Sequence, residues 1–281
     1  MNVLGDNFAI KTVIMRGIAS TLAGDALRMN DVEPVDMKKA MEQHETYYKI
    51  FKNQLQLNVI VLDADDSLPD CVFVEDPAVV IGQIALVTTP GHPSRRKECD
   101  AILKTLQSFK DIDIKIMKHI DPAANLDGGD VLFTGDEIFV GLSKRTNEAG
   151  IKVLEVAFPD FSVISISIQG SLHLKSVCTL GGRRKILIGS DETSTDVKTQ
   201  IEKKSSVKYE FLEVKDIPCS ANSVYLEIDG KPTLIHPSTT KYPLTGQVYK
   251  DLQNIRKIEC DLSELSKVDG CLTCSSLLLT V

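Results

Sequence analysis

The 281-residue sequence lacks the features that mark membrane-spanning and nucleic-acid-binding proteins. No apolar run reaches about 18 residues, the length that a helix needs to span a bilayer. No stripe of basic residues interleaved with aromatic residues is present, and the net charge is −7. An acidic protein is repelled by phosphate backbones and by anionic lipids. We therefore expect neither nucleic acid nor a membrane as a partner.

Targeting signals are also absent from the sequence. The first residues, MNVLGDNFAIKTVIMRG, lack the cationic start, the clean apolar stretch and the small-residue cleavage site of a signal peptide. The last four residues, 278–281, form no lipidation signal. The seven cysteines are odd in number and scattered over the chain, unlike a disulfide framework. These absences predict a cytoplasmic protein whose thiols stay reduced.

A pattern of about fifty residues recurs along the chain. Each copy opens with a polar cluster and continues as a short apolar strand, a tight turn with Gly or Asp, and a second strand followed by a helical pattern. The polar starts, which lie 51, 46, 49 and 52 residues apart by subtraction, are Asp76, Asp127, His173, Asn222 and Cys274. The helical patterns begin near Ser94, Asn147, Thr193 and Leu244.

The fifth copy of the pattern lacks its second strand and its helix. The N-terminal residues FAIKTVIMRG and the helix after them can supply the missing parts and close a ring. We therefore predict a single domain over residues 1–281, with repeats that start near residues 70, 123, 171, 218 and 268. Equivalent polar starts in a closed ring point toward one axis. Because buried charges are unfavourable unless they are paired or used, this convergence predicts a functional site.

The clearest single element is a helix that precedes the first repeat. Its apolar residues recur at helical spacing at Met37, Met41, Tyr48, Phe51 and Leu55. We expect an amphipathic helix with these side chains in the core. A strand over residues 57–64, with the sequence LNVIVLDA, is predicted to follow it.

Two cysteines near the C-terminus, Cys271 and Cys274, allow three interpretations. A thioredoxin-like redox pair needs a helix after the first cysteine, whereas this sequence continues as the strand-like SSLLLTV. A zinc site needs two further ligands, and the sequence has no second C-x-x-C and no H-x-H pair. A single nucleophilic thiol needs a His and a carboxylate, for which His173 and either Asp127 or Asp130 of LDGGD are candidates.

Charged clusters accompany these candidates. The acidic segment SLPDCVFVED gathers Asp70, Glu75 and Asp76, which repel one another unless a cation, such as a metal or a guanidinium, joins them. The basic segments HPSRRKECD and GLSKRTNEAG place Arg95 and Arg145 near predicted helix starts, where they either extend into water or form an anion clamp. A small amphoteric molecule such as an arginine-like amino acid fits this distribution of charge.

The sequence closely resembles the dimethylarginine dimethylaminohydrolase family, in long motifs that keep their order and spacing. The motifs are LPDCVFVEDPAVV, TPGHPSRRKE, LDGGDVLFTGDEIFVGLSKRTN, SLHLKS, IGS and KVDGCLTCSSLLL. They run from about residue 70 to the C-terminus, whereas the first sixty residues match weakly, with ALR at residues 26–28 as the best anchor. The resemblance implies the α/β pentein fold, a five-bladed propeller of ββαβ-like repeats around a central active site.

The resemblance also implies roles for individual residues in the chemistry. Cys274 is the expected nucleophile, His173 the general acid and base, and Asp127 the carboxylate that orients His173. Val268 is expected to line the pocket together with the Asp-Gly turn that follows it. Leu27 is expected to lie in a mobile lid over the pocket.

Further residues are implied as substrate binders. Glu75 and Asp76 match the binders of the guanidinium group, and Asp70 matches an acid that binds the α-ammonium group. Arg95 and Arg145 match the binders of the amino acid end of the substrate. The implied substrate is therefore a free amino acid.

The implied reaction is the hydrolysis of free N-omega-methylated arginines, namely asymmetric dimethylarginine and monomethylarginine. The products are citrulline and dimethylamine or methylamine, formed through a covalent S-alkylthiouronium on Cys274. No metal or organic cofactor is expected, although a soft metal such as zinc could bind Cys274 and His173 and inhibit. The alternatives are an arginine deiminase-like enzyme that acts on unmethylated arginine, a non-enzymatic ligand-binding protein of the same fold, and a redox protein that uses Cys271.

Overall fold

The computed structural model describes residues 6–30, 33–216 and 219–281, without the side chains of Asp6 and Cys219. Within these residues fifteen strands form five three-stranded sheets. The strands are β1 Thr12–Arg16, β2 Asn58–Leu62, β3 Ala78–Ile81, β4 Ile84–Val87, β5 Asp113–Ile116, β6 Val131–Phe133, β7 Glu137–Leu142, β8 Ser162–Ser167, β9 Cys178–Gly182, β10 Lys185–Ile188, β11 Glu210–Glu213, β12 Val224–Ile228, β13 Lys231–Pro237, β14 Arg256–Cys260 and β15 Leu277–Leu279.

Helices connect these strands. The α-helices are α1 Leu22–Asp25, α2 Met37–Lys49, α3 Glu98–Leu106, α4 Met117–Ile120, α5 Glu148–Ala157, α6 Glu192–Lys204 and α7 Gly246–Asp251, and a π-helix, Ile50–Gln54, continues α2. The 3-10 helices are Asp6–Phe8, Pro93–Arg95, Gly128–Asp130, Leu174–Ser176, Cys219–Ala221, Leu265–Val268 and Thr273–Ser275. No helix within the described part of the chain is long and apolar enough to cross a membrane.

The five sheets share one topology. The middle strand of each sheet pairs antiparallel with one neighbour and parallel with the other. A parallel pair needs a crossover connection, and α2, α3, α5, α6 and α7 each lie in one of these five connections. The repeating strand-turn-strand-helix pattern of the sequence corresponds to this arrangement.

One sheet is built from both ends of the chain. Strand β1 pairs antiparallel with β15, with Thr12 opposite Leu279, and parallel with β2. The strand that follows Cys274 is therefore fixed by residues more than 250 positions away in sequence. The division of residues 1–281 into one domain with five repeats stays a prediction, and its fourth start, near residue 218, lies outside the described residues.

Single-turn 3-10 helices stand directly before four of the antiparallel strand pairs. They are Gly128–Asp130 before β6, Leu174–Ser176 before β9, Cys219–Ala221 before β12 and Thr273–Ser275 before β15. The polar starts of the repeats lie in these turns or next to them. The turns therefore place the candidate site residues at equivalent ends of neighbouring sheets.

Helix α2 and the π-helix after it pack four of the five predicted residues against the core, and Met41 is the exception. Asp36 caps the helix by accepting a hydrogen bond from the Lys39 N–H at 3.1 Å. Tyr47 and Phe51 are fully buried, but Met41 is 52% exposed, so the prediction that it packs in the core is wrong. Gln43 takes part in the buried face instead, because its side chain finds hydrogen-bond partners at residues 261–264. The strand after the helix is also shorter than predicted and spans Asn58–Leu62.

Candidate active site

Cys274 lies in the 3-10 helix Thr273–Ser275, at the start of the strand that joins the two ends of the chain. Its carbonyl oxygen accepts a hydrogen bond from the Glu75 N–H at 3.2 Å, which ties the turn to the neighbouring repeat. The side chain is partly exposed, whereas the other cysteines with described side chains are buried. Cys274 is thus the accessible thiol in the described part of the chain.

Cys271 faces a different space from Cys274. It lines a small cavity together with Cys260 and Asn222, while Cys274 lines a separate cavity. Cys271 is 5% exposed, whereas Cys274 is partly exposed. This geometry does not favour a redox pair, because such a pair needs its two sulfur atoms side by side.

The cavity at Cys274 has a volume of about 70 Å³, and we call it the thiol cavity. Its walls come from the turns before several sheets and from the segment after α1. Its lining residues are Leu27, Arg28, Met29, Asp70, Phe73, Asp76, Arg95, Arg145, Leu172, His173, Val268, Asp269 and Cys274. Eight of the ten predicted site residues are therefore brought together here, and Asp127 and Glu75 are not in the lining.

His173 is held between carboxylates. Its Nε2 lies 2.9 Å from Asp127 Oδ2 and 4.0 Å from Asp76 Oδ1. Gly129 packs against the imidazole, and a Cβ there would lie 2.6 Å from Nδ1, so only glycine leaves room for the ring. Burial opposes the charged imidazolium, but Asp76, Asp127 and Asp130 outweigh it and raise the pKa of His173 to about 10.

Asp127 lies behind His173 and is completely buried. Its Oδ1 accepts a hydrogen bond from the Gly91 N–H at 2.8 Å, while its Oδ2 faces the imidazole. Asp130 forms a second layer, in which it accepts hydrogen bonds from the hydroxyls of Ser143 and Thr146 at 2.7 Å. Burial raises the pKa of Asp130 to about 6, against the opposing effect of His173. Asp127 is thus fixed in a position that orients the imidazole.

Asp76 and Arg95 form a buried ion pair at the cavity wall. Burial alone would raise the pKa of Asp76, but His173 and Arg95 outweigh this and lower it to about 2. The Arg95 guanidinium also donates to both Glu98 oxygens, at 3.1 and 2.7 Å, and to the Phe73 carbonyl at 3.0 Å. Arg95 is 4% exposed. Since protein groups occupy its donors, its predicted contact with the substrate is not supported by this geometry.

Glu75 points away from the thiol cavity, in contrast to the prediction that it binds beside Asp76. One carboxylate oxygen accepts a hydrogen bond from Lys175 Nζ at 2.5 Å, and the other accepts one from Thr273 Oγ1 at 2.8 Å. Glu75 lines a second cavity of about 170 Å³, which we call the apolar cavity because strand residues such as Val79, Leu180 and Leu277 predominate in its walls. Adjacent residues in sequence therefore serve different cavities.

Arg145 and Asp70 complete the charged lining of the thiol cavity. Arg145 Nη1 is buried without a hydrogen-bond partner and lies 3.8 Å from Asp127 Oδ2. Asp70 accepts hydrogen bonds from the Leu27 N–H at 3.2 and 3.3 Å, and burial raises its pKa against the opposing effect of Arg95. A cationic donor and an anionic acceptor are thus available for the two ends of an α-amino acid. The mobility of the segment at Leu27 stays a prediction.

A family model described as N,N dimethylarginine dimethylhydrolase, eukaryotic, matches residues 21–276. The chain belongs to the N,N dimethylarginine dimethylhydrolase family. The human protein named "Putative hydrolase DDAH2" is 31% identical to it over 270 residues, which are 95% of this chain and 93% of that protein. The N(G),N(G)-dimethylarginine dimethylaminohydrolase of Pseudomonas aeruginosa is 29% identical over 272 residues, covering 95% and 98% of the two chains.

A solved structure of the dimethylhydrolase family has the same fold. It is a cysteine-to-serine mutant of the Pseudomonas aeruginosa enzyme in complex with citrulline, and it aligns with a TM-score of 0.84 at 27% identity. The alignment covers 96% of this chain and all of that one (100%). The predicted pentein fold is therefore confirmed, as is the prediction of a hydrolase that acts on C–N bonds.

Four lining residues of the thiol cavity, Arg28, Met29, Phe73 and Leu172, carry no predicted role. Arg28 and Leu172 stand next to the predicted residues Leu27 and His173, and this adjacency is the signal that finds them. Asp269 belongs to the Asp-Gly turn predicted as pocket wall, and its φ of 58° is the left-handed conformation that Asp tolerates better than most residues. Its Oδ2 accepts a hydrogen bond from the Met29 N–H at 2.6 Å, and burial raises its pKa.

Among the described residues, Asp76, Asp127 and His173 form a group that could hold a metal ion, because their donor atoms lie within 4.8 Å of one another. The set does not include the thiol of Cys274. Each of the three side chains already has a hydrogen-bond partner in the protein. The predicted binding of zinc to Cys274 and His173 stays a prediction.

Proposed function

We propose that this protein hydrolyses free N-omega-methylated arginines to citrulline and methylamine or dimethylamine. The observation that carries the proposal is the thiol cavity itself. It combines an accessible thiol at Cys274, an imidazole whose pKa is about 10 at His173, and an acidic wall at Asp76. A cationic guanidinium suits a wall of carboxylates, and a thiolate suits its electrophilic carbon.

Substrate binding in this proposal uses three charged groups. The Asp76 carboxylate binds the guanidinium, because each of its oxygens has a second acceptor position beyond those used by Gly129 and Arg95. Asp70 binds the α-ammonium group, and the unpartnered Nη1 of Arg145 binds the α-carboxylate. Because these two end groups are free only in an amino acid, methylated arginine within a protein is rejected. Arg95 and the Glu75 side chain support the wall without touching the substrate.

The first half of the reaction forms a covalent intermediate. The imidazolium of His173 stabilises the Cys274 thiolate, which attacks the guanidinium carbon. His173 then donates its proton to the nitrogen that bears the methyl groups, and the neutral amine leaves. The products of this step are an S-alkylthiouronium on Cys274 and a neutral imidazole. Asp127 holds the ring in place throughout.

The second half of the reaction regenerates the enzyme. Neutral His173 takes a proton from water, and the resulting hydroxide adds to the thiouronium carbon. The C–S bond breaks, the thiolate of Cys274 leaves, and the remaining hydroxyl proton passes to solvent as the carbonyl of citrulline forms. The ion pair between imidazolium and thiolate is thereby restored.

The test is a citrulline assay with three separate substrates: asymmetric dimethylarginine, monomethylarginine and arginine. We expect turnover of the methylated substrates. A methyl group in an apolar pocket changes binding by only about 1–3 kcal/mol, so the two are expected to differ modestly. Turnover of arginine alone would identify a deiminase and contradict the proposal. Binding of methylarginine without any turnover would identify a non-enzymatic protein.

Three further expectations belong to this proposal. The seven cysteines are odd in number and scattered along the chain, which suits the cytoplasm, where we expect the protein to act. Removal of methylarginines there would relieve inhibition of nitric oxide synthesis. Zinc would inhibit by binding Cys274 and His173, and a chelator would then restore citrulline formation. Zinc binding that is equally tight in Cys274→Ser, measured by titration calorimetry, would place the metal elsewhere.

A further inference from the structure

Asn222 is the polar start of the fourth repeat, and the chemistry proposed above gives it no role. It lies directly after the 3-10 helix Cys219–Ala221 and is 1% exposed. It does not line the thiol cavity, so it does not touch a substrate there. A buried amide needs hydrogen-bond partners, and the partners of Asn222 show what it holds in place.

The Asn222 side chain forms hydrogen bonds with Thr273, the residue that precedes the nucleophile. Its Oδ1 accepts a hydrogen bond from the Thr273 N–H at 3.0 Å. Its Nδ2 donates to Thr273 Oγ1 at 3.1 Å and to the Lys175 carbonyl at 2.9 Å. One amide therefore fixes both the backbone and the side chain of Thr273.

The same contacts continue into the turn before β3. Thr273 Oγ1 donates to Glu75 Oε2 at 2.8 Å, and Lys175 Nζ binds Glu75 Oε1 at 2.5 Å. The Glu75 N–H donates to the Cys274 carbonyl at 3.2 Å. Residues 273 and 274 are thus held on both sides of one peptide bond by hydrogen bonds from two other repeats, and Lys175 of a third repeat binds both partners.

We propose that Asn222 is a positioning residue, which orients the Cys274 thiol by fixing the 3-10 turn that carries it. The amide achieves this without contacting the substrate. If Asn222 is removed, the buried Thr273 N–H and hydroxyl lose partners, and the short turn is free to reorient. A reacting sulfur that is misplaced by about 1 Å can reduce the rate on the order of 100-fold.

A purely structural role makes a different prediction. Ser223, the next residue, is also buried, at 2%, and its hydroxyl donates to the Leu180 carbonyl at 3.0 Å. It binds the β9 strand and not the Cys274 turn. Ser223→Ala therefore removes a buried hydrogen bond at the same strand start without disturbing the nucleophile, and it is the matched control.

The experiment measures the reactivity of Cys274 directly. Asn222→Ala, Thr273→Val and the double variant are alkylated with iodoacetamide over a range of pH, and the modified cysteine is identified by peptide mass spectrometry. Cys274→Ser gives the background from other thiols. Urea unfolding of each variant gives its stability. This readout needs no substrate and so does not depend on the proposed function.

We expect Asn222→Ala to slow alkylation of Cys274 and to shift its pH profile, while Ser223→Ala leaves both unchanged at a similar loss of stability. Thr273→Val gives the same change, and the double variant adds little, because both substitutions break one unit. In the citrulline assay, kcat falls by about 10- to 100-fold for Asn222→Ala, with KM within about threefold.

An unchanged alkylation profile in both Asn222→Ala and Thr273→Val would overturn the proposal and leave Asn222 a structural residue. If Asn222→Ala does not fold, Thr273→Val decides the outcome alone. The kinetic expectation rests on the proposed function, but the alkylation result does not. Altered alkylation in a protein that makes no citrulline from any substrate would therefore contradict the function and support the positioning role.

Discussion

The two cavities near Cys274 differ in size and in character. The apolar cavity is the larger, at about 170 Å³ against about 70 Å³ for the thiol cavity. Residues that are adjacent in sequence line different cavities. Glu75 and Thr273 line the apolar cavity, whereas Asp76 and Cys274 line the thiol cavity. The smaller space holds the accessible thiol and the pKa-shifted histidine. Perturbed titratable groups therefore mark the candidate site here better than volume does.

The largest expected effect is a loss of kcat on substitution of the nucleophile Cys274, compared with substitution of its neighbour Cys271. Cys274→Ser is expected to reduce kcat for citrulline formation by about 1000-fold or more, because a serine hydroxyl is not ionised by this imidazolium. Cys271→Ala is the matched control, since Cys271 faces another cavity, and it is expected to change kcat by less than about threefold. Continued turnover by Cys274→Ser would refute the covalent mechanism. Loss of turnover in Cys271→Ala would revive the redox interpretation.

The two arginines of the thiol cavity give the next largest contrast. Arg95→Met leaves Asp76 and Glu98 buried without their cation, so we expect the free energy of unfolding to fall by about 3–5 kcal/mol. Arg145→Met removes a group whose Nη1 has no hydrogen-bond partner in the protein, so its effect on unfolding is expected to be smaller. Urea denaturation of both variants measures this difference.

The two substitutions should have the opposite order of effect on KM: Arg145→Met is expected to raise KM more than Arg95→Met does. Losing a charge-assisted contact with the substrate carboxylate, worth about 1.5–3 kcal/mol, raises KM for Arg145→Met by roughly 10- to 100-fold. An unchanged KM in Arg145→Met would remove this residue from the binding site. A KM effect confined to Arg95→Met, in protein that remains folded, would restore the originally predicted contact.

The pH dependence of stability tests the electrostatics of the thiol cavity. The pKa of His173 is raised from 6.5 to about 10, so the folded protein binds its proton more tightly than the unfolded chain does. This contribution to stability is complete below pH 6.5 and is lost as the pH rises toward 10. The expected slope is up to about 1.4 kcal/mol per pH unit within that window.

Urea denaturation between pH 6 and pH 10 checks this slope. His173→Gln is the control, because it keeps a polar side chain while removing the titration. The difference between the two proteins cancels lysine and tyrosine groups that titrate in the same range. Equal slopes in the two proteins would show that the carboxylates do not hold a protonated His173.

The sequence predicts the part of this site that depends on position within a repeat. The nearly regular spacing of the repeat starts places Asp76, Asp127, His173 and Cys274 before equivalent strands, and the structure brings His173 within 2.9 Å of Asp127. The family resemblance adds Arg145, which periodicity alone leaves between two interpretations. Position within the repeat and local chemistry are sufficient for the four repeat starts, but not for Arg145.

The features that the sequence does not predict depend on distant partners. Glu75 turns from the thiol cavity because Lys175 and Thr273, 100 and 198 residues away, offer it hydrogen bonds. Gln43 displaces Met41 from the core for the same reason, through contacts with residues more than 200 positions away. The spacing of apolar residues does not show which distant residues a side chain will contact. Such tertiary contacts can outweigh the local preference that the spacing indicates.

The smallest expected effect comes from a substitution in the lining of the apolar cavity. Tyr225 lines this cavity, and its hydroxyl donates to Glu227 Oε1 at 2.8 Å, where Arg183 remains as a second partner of the carboxylate. Tyr225→Phe should lower the free energy of unfolding by about 1 kcal/mol, the usual net contribution of one hydrogen bond. Citrulline formation should keep its KM, because the substrate occupies the other cavity. A KM that changes severalfold would show that the apolar cavity affects substrate binding in the thiol cavity. The assignment of stability to one cavity and reactivity to the other would then be wrong.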